Sequence, residues 1–105
     1  MDKETLNRHM NQILVHSYLY SVNHAIWDDY TWDMYAKNLA KEIKENRELA
    51  KTLPYYEQFI DWDGDTSMNF KYDDTIRMRA RLCYGCKFGE PLEENAWHQL
   101  NGMVS

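Results

Sequence analysis

Between Leu6 and Trp27 the chain reads LNRHMNQILVHSYLYSVNHAIW, without a Gly or Pro. At about 100° per residue, Leu14, Tyr18, Val22 and Ala25 share one helical face, with Met10 beside them. Val15, Leu19 and Ile26 widen that face past half the circumference and leave Gln12, His16 and Asn23 as a polar ridge. A helix packed on one side carries a narrower apolar stripe. The pattern therefore predicts a central N-terminal helix touched by several neighbours, with Asp2 or Thr5 as its cap. Ser17 and Ser21 are small enough to admit a close neighbour.

After a stop at Asp28-Asp29-Tyr30-Thr31, a second helix is expected to run to about Leu53, capped by Asp29 or Thr31. Trp32, Tyr35, Ala36, Leu39, Ile43, Ala50 and Leu53 fall on its apolar side. Asn46 lies within that stripe and needs a partner or a place near the rim. Pro54 ends the helix and opens a short aromatic one with Tyr55, Tyr56, Phe59, Ile60 and Trp62, stopped by Asp63-Gly64-Asp65.

Residues 66–85 support two readings. Met68, Phe70 and Tyr72 alternate with polar residues, as do Ile76, Met78, Ala80 and Leu82, which is the period of a β-hairpin. A two-residue turn at Asp73-Asp74 would set Phe70 opposite Arg77, on the wrong face, and no Gly is there to build an odd loop. The favoured alternative is a helix from about Thr75 to Tyr84, capped by Asp74 and closed by Gly85. A last helix is expected from Pro91, burying Leu92, Ala96, Leu100 and Trp97. The sequence is thus that of a mainly α, compact single-domain bundle of four to five helices over residues 1–105, with one small hairpin near 66–84 as the variant.

Net charge is −5, which argues against a generally cationic nucleic-acid binder. The charge is also segregated. Residues 54–74 carry six acids against Lys71, whereas residues 75–87 carry Arg77, Arg79, Arg81 and Lys87 with no acid. No signal peptide opens the chain, and His and Asn interrupt the one long apolar stretch, so a cytoplasmic protein without a membrane span is expected.

Cys83-Tyr84-Gly85-Cys86 is the one short motif with metal-ligand spacing. It supplies two of the four ligands that zinc needs; His98 is a candidate third, and a fourth would require a homodimer sharing the site. The motif reads first as one buried and one loop cysteine, so no cofactor is expected. His9, His16 and His24 recur along one side of the first helix, but seven or eight residues of helix rise about 10–12 Å, too far to share an ion. Asp61-Trp62-Asp63-Gly64-Asp65 opens like a calcium loop, yet Thr66 and Tyr72 stand where that loop needs Gly and Glu. Arg77, Arg79 and Arg81 are candidate phosphate contacts. On a helix, however, Arg79 points away from the other two.

No phosphate loop, nucleophile elbow or zinc-protease motif is present, so an enzyme is not expected. A short, acidic chain rich in Tyr and Trp reads most simply as a protein-binding module. Small inhibitors and adaptors of phages and mobile elements are of this type. It would modulate a larger protein with a basic surface, such as a host nucleic-acid-handling or defence enzyme, its acids standing in for phosphate charge. The expected interface is Tyr55, Tyr56, Asp61, Trp62, Asp63 and Asp65: aromatic anchors beside steering carboxylates. The alternative is a small zinc- or nucleic-acid-binding regulator using Cys83, Cys86 and the arginines.

Overall fold

Asp2 opens the first helix by accepting a hydrogen bond from the Thr5 amide at 2.7 Å. The computed structural model describes residues 1–67 and 70–88, with side chains through residue 85. Helix α1 spans Lys3–Ser21. Helix α2 spans Asp29–Glu45, α3 spans Arg47–Ala50, a 3-10 turn covers Tyr56–Phe59, and α4 spans Asp74–Phe88. The expected last helix, with Leu92, Ala96, Trp97 and Leu100, lies outside the described residues.

Helix α1 is central, as its wide face predicts: it touches α2, α3 and α4. Leu6, Met10, Ile13, Leu14 and Leu19 are fully buried in a single apolar cluster with Leu39, Ile43, Phe59, Ile76 and Ala80. The helix ends at Ser21 rather than near Trp27, because Asn23 takes a left-handed backbone with φ 63°. The His24 amide then donates to the Leu19 carbonyl and the Asn23 amide to the Tyr20 carbonyl, at 2.8 and 3.1 Å. These two bonds form the Schellman arrangement, in which Asn substitutes for Gly. Ala25 falls outside the helix and is exposed, as is Ser21; Ser17 is buried, as its size allows.

Asp28, not Asp29 or Thr31, caps α2, accepting the Thr31 amide at 2.7 Å. Ala36, Leu39 and Ile43 are buried along its inner face, but Tyr35 is exposed. The expected run to Leu53 breaks at Asn46, which leaves helical geometry while its side-chain amide donates to the Glu42 carbonyl at 2.9 Å. Asn competes with the helix for backbone partners in this way, and here it finds the partner its position requires.

The aromatic stretch folds as a 3-10 turn rather than an α-helix. Phe59, Trp62 and Phe70 meet at ring-centre distances of 5.1 to 5.6 Å. The Gln58 amide both donates to the Lys71 carbonyl and accepts the Lys71 amide, at 2.9 and 3.0 Å. With those backbone groups engaged by a side chain, residues 70–73 lead to α4 without regular secondary structure, and among the described residues no hairpin forms about Asp73-Asp74. The favoured helix is the one observed. Its cap is Asp73, which accepts the Ile76 amide at 2.8 Å, rather than Asp74. It also continues through Gly85 to Phe88. A helical Gly costs about 1 kcal/mol relative to Ala, which does not stop a helix whose Ile76–Ala80 face packs on α1.

Gly64 holds the acidic loop against α2. Its φ is +88°, and a Cβ there would lie 3.0 Å from the Ala36 carbonyl oxygen and 3.2 Å from the Ala40 Cβ. Gly64→Ala is therefore expected to lower stability by about 1–2 kcal/mol from the left-handed backbone alone. The new contact with α2 backbone adds to that. An unchanged denaturation midpoint would show that the loop does not depend on this approach.

Candidate functional site

The structure divides the predicted interface. Asp61 and Asp63 are exposed and border a cleft of about 500 Å³ together with Trp62, Ile60 and Lys71, whereas Tyr55, Tyr56 and Asp65 lie outside it. The aromatics expected as anchors are half-buried, and their polar ends are engaged within the fold. The Tyr55 hydroxyl donates to the Asp73 carboxylate at 3.0 Å. The Tyr56 hydroxyl accepts from Arg47 at 3.2 Å. The Trp62 indole N–H donates to the Thr66 carbonyl at 2.6 Å. Burial and the bond to Asp73 push the Tyr55 phenol's pKa up.

Asp65 belongs to another cleft, of about 460 Å³, where the C-terminal end of α1 meets the first turn of α2. Its carboxylates are Asp28, Asp29, Asp33 and Asp65; its aromatic walls are Tyr20, Trp27, Tyr30 and Trp32. Local folding explains the convergence. The Schellman end of α1 turns the chain at Asn23 and so carries Trp27 back beside His16. The cap at Asp28 starts α2 there and sets Asp29 and Asp33 one turn apart. Gly64 on α2 brings up Asp65; the 2.9 Å bond from Lys37 to Asp33 raises the Lys37 pKa, and the Asp65 charge adds a smaller push in the same direction.

The aromatics of this cleft differ in how they are held. Trp27 stacks on His16 at 3.6 Å and on Tyr35 at 4.5 Å between ring centres. Trp32 donates its indole N–H to the Ser17 hydroxyl at 2.9 Å. Half-buried Tyr72, hydrogen-bonded to Ser17, has its phenol pushed up to about 12 by burial. Tyr30 and Tyr20, by contrast, stand 75% and 58% exposed. Met34 and Tyr35 continue the exposed apolar surface along α2. Scattered exposed apolar residues are ordinary; here several lie close to one acidic cleft.

His16 lies not on a solvated ridge, as its neighbours in sequence imply, but in the core's margin at 8% exposure. Its Nδ1 has no hydrogen-bond partner among the described residues. Burial pushes its pKa down to about 4, so the ring is neutral at pH 7. The same ring also borders a cleft between α1 and α4, together with Asn7, Arg8, Asn11, Arg79 and Cys83. His9 is paired separately, with Glu42 at 2.7 Å, and His24 meets the edge of Tyr84. The three histidines thus have three distinct partners, as their spacing requires.

Two of the three candidate phosphate contacts are engaged within the fold: Arg77 with Asp74, and Arg79 with the Asn11 side chain. Arg81 is half-buried. Of the candidate zinc ligands, Cys83 is half-buried, whereas His98 and the Cys86 side chain lie outside the described residues. Among the described residues, no three His, Cys, Asp or Glu side chains are grouped to hold a metal, and no helix is long and apolar enough to cross a membrane.

In sequence the acids of segment Trp27–Asp33 read as helix punctuation; in the fold they line the cleft at the start of α2. The signal was present in WDDYTWD, as dense in acids and aromatics as the later stretch. Comparison with protein-family models, curated proteins and solved structures yields no match.

Proposed function

We propose that the chain is a protein-binding module that engages a larger partner with a basic surface, and modulates it by occupying that surface. The observation that supports this reading is the cleft at the start of α2, where four carboxylates stand beside exposed Tyr20 and Tyr30. Aromatics packing a core need no carboxylates around them, and a solvated acidic face needs no exposed aromatics. The combination suits an interface in which charge steers the encounter and rings supply desolvated contact area. Asp61 and Asp63, on the far side of the Gly64 loop, extend the acidic field.

Steering by exposed charge acts on association and weakens with salt, whereas anchors govern dissociation. The partner would be captured from source-cell extract on the immobilised full chain and then purified for kinetics. A variant carrying Asp29→Asn, Asp33→Asn and Asp65→Asn leaves the Asp28 cap in place. It is expected to fold normally and to associate about tenfold more slowly at low salt. Tyr30→Ala is expected to raise the dissociation rate with little change in association. An association rate that ignores both salt and the three substitutions would overturn the reading.

A further inference from the structure

Resting on that reading, we infer that the cleft between the end of α1 and the first turn of α2 receives one arginine side chain of the partner. Charge selects a cation. Asp28, Asp29, Asp33 and Asp65 border the cleft, and Lys37 offsets one of them through Asp33. The N-terminus of α2 adds roughly half a positive charge, which leaves the balance negative.

Two further features select a guanidinium over an ammonium. First, the acceptors are spread around the cleft rather than gathered at a point. Asp29 and Asp33 belong to α2, and Asp65 to the Gly64 loop. A guanidinium offers five donors in a planar fork, so it can reach several such acceptors at once; an ammonium acts as a compact, strongly hydrated point charge. Second, the rings left open to a ligand are flat phenol faces. Trp27 is already stacked on His16 and Tyr35, but Tyr20 and Tyr30 are exposed. Guanidinium stacks on such faces and keeps its in-plane donors for the carboxylates. A cleft of about 460 Å³ is within the range of ligand pockets and holds one long side chain readily.

The test uses the full chain and a capped tripeptide, acetyl-glycyl-arginyl-glycine amide, with its lysine and citrulline counterparts. Citrulline keeps the planar shape and removes the charge. Binding is followed by nuclear magnetic resonance, through the Trp27 and Trp32 indole signals and the amides of Asp29, Tyr30 and Asp65. The arginine peptide is expected to shift these signals saturably, with the lysine peptide several-fold weaker and the citrulline peptide at least tenfold weaker. A double variant, Asp29→Asn with Asp65→Asn, should lose the saturable shifts while keeping its circular dichroism. Equal binding of lysine or citrulline, unaltered binding by the double variant, or shifts located elsewhere would each overturn the inference. If the arginine peptide fails while partner association stays salt-dependent and sensitive to the three Asn substitutions, only the arginine claim is lost; if both fail, the interface reading falls too.

Discussion

Leu14→Ala is expected to lower the free energy of unfolding by about 2–5 kcal/mol, the range for a buried leucine truncated in a core that collapses only partly around the gap. Leu14 sits mid-way along α1 with no solvent exposure, on the helix that α2, α3 and α4 all touch. A cavity there removes contacts for several elements at once, and little of the surrounding structure is free to move in. Against a total stability of about 5–15 kcal/mol for an ordinary domain, that is a large fraction. Leu82→Ala is the internal comparison. Leu82 is 64% exposed on α4, and its truncation should change stability by no more than about 0.5 kcal/mol. Equilibrium denaturation of both variants reads the difference. Similar midpoints for the two would mean that α1 is not the element around which the core is organised.

The legible part of the fold is the part that rests on periodicity. The wide face of α1 announced its central position, and the Ala36–Leu39–Ile43 stripe announced the inner side of α2. What was not legible depended on single residues whose roles are set by neighbours. Asn23 reads as one more polar position on a helical ridge until the chain supplies the Leu19 and Tyr20 carbonyls that make it a terminator. Asn46 likewise reads as a flaw in a stripe, and proves to be where the stripe passes from α2 to α3. The choice between hairpin and helix after residue 66 turned on Gln58, thirteen residues from Lys71, and no local pattern reports such a pairing.

The candidate site shows the same division. The reading that acids and aromatics together mark an interface applies to residues 27–33 as well as to 54–74. In the earlier segment, though, the acids could be explained as caps, and Asp28 is one. That Asp65 joins them follows from Gly64 docking on Ala36 and Ala40, a tertiary contact that a positive-φ glycine permits and a sequence does not announce. Once α1 is known to stop at Ser21, the return of Trp27 to His16 becomes the geometric basis of the cleft.

That return also makes His16 the residue through which acid should act on stability. Its ring is packed parallel to Trp27, and burial holds its pKa near 4 against an ordinary value of 6.5. Asp28, Asp29, Asp33 and Asp65 border the same cleft and favour the protonated form, while Arg8 and Arg79, across the ring's other border, oppose it. Burial outweighs the carboxylates. Because the folded pKa lies below the unfolded one, the unfolded chain takes up the proton first as pH falls. The stability gained from keeping His16 neutral is therefore complete above about pH 6.5 and is lost progressively as pH falls from 6.5 toward 4, a difference of about 3 kcal/mol. The exposed caps Asp2 and Asp28, whose pKa values are lowered by the Thr5 amide and by the Thr31 hydroxyl and amide respectively, also weaken in acid, so the wild-type curve alone does not isolate the histidine. His16→Phe does. It keeps an aromatic ring against Trp27 and removes the titrating group, leaving both caps untouched. Urea denaturation at a series of pH values between 7.5 and 4 should show the wild type losing about 3 kcal/mol relative to the variant, nearly all of it below pH 6.5. Parallel curves would mean that His16 takes up its proton in the folded chain as readily as in the unfolded one, and that the stack on Trp27 does not seal it from water.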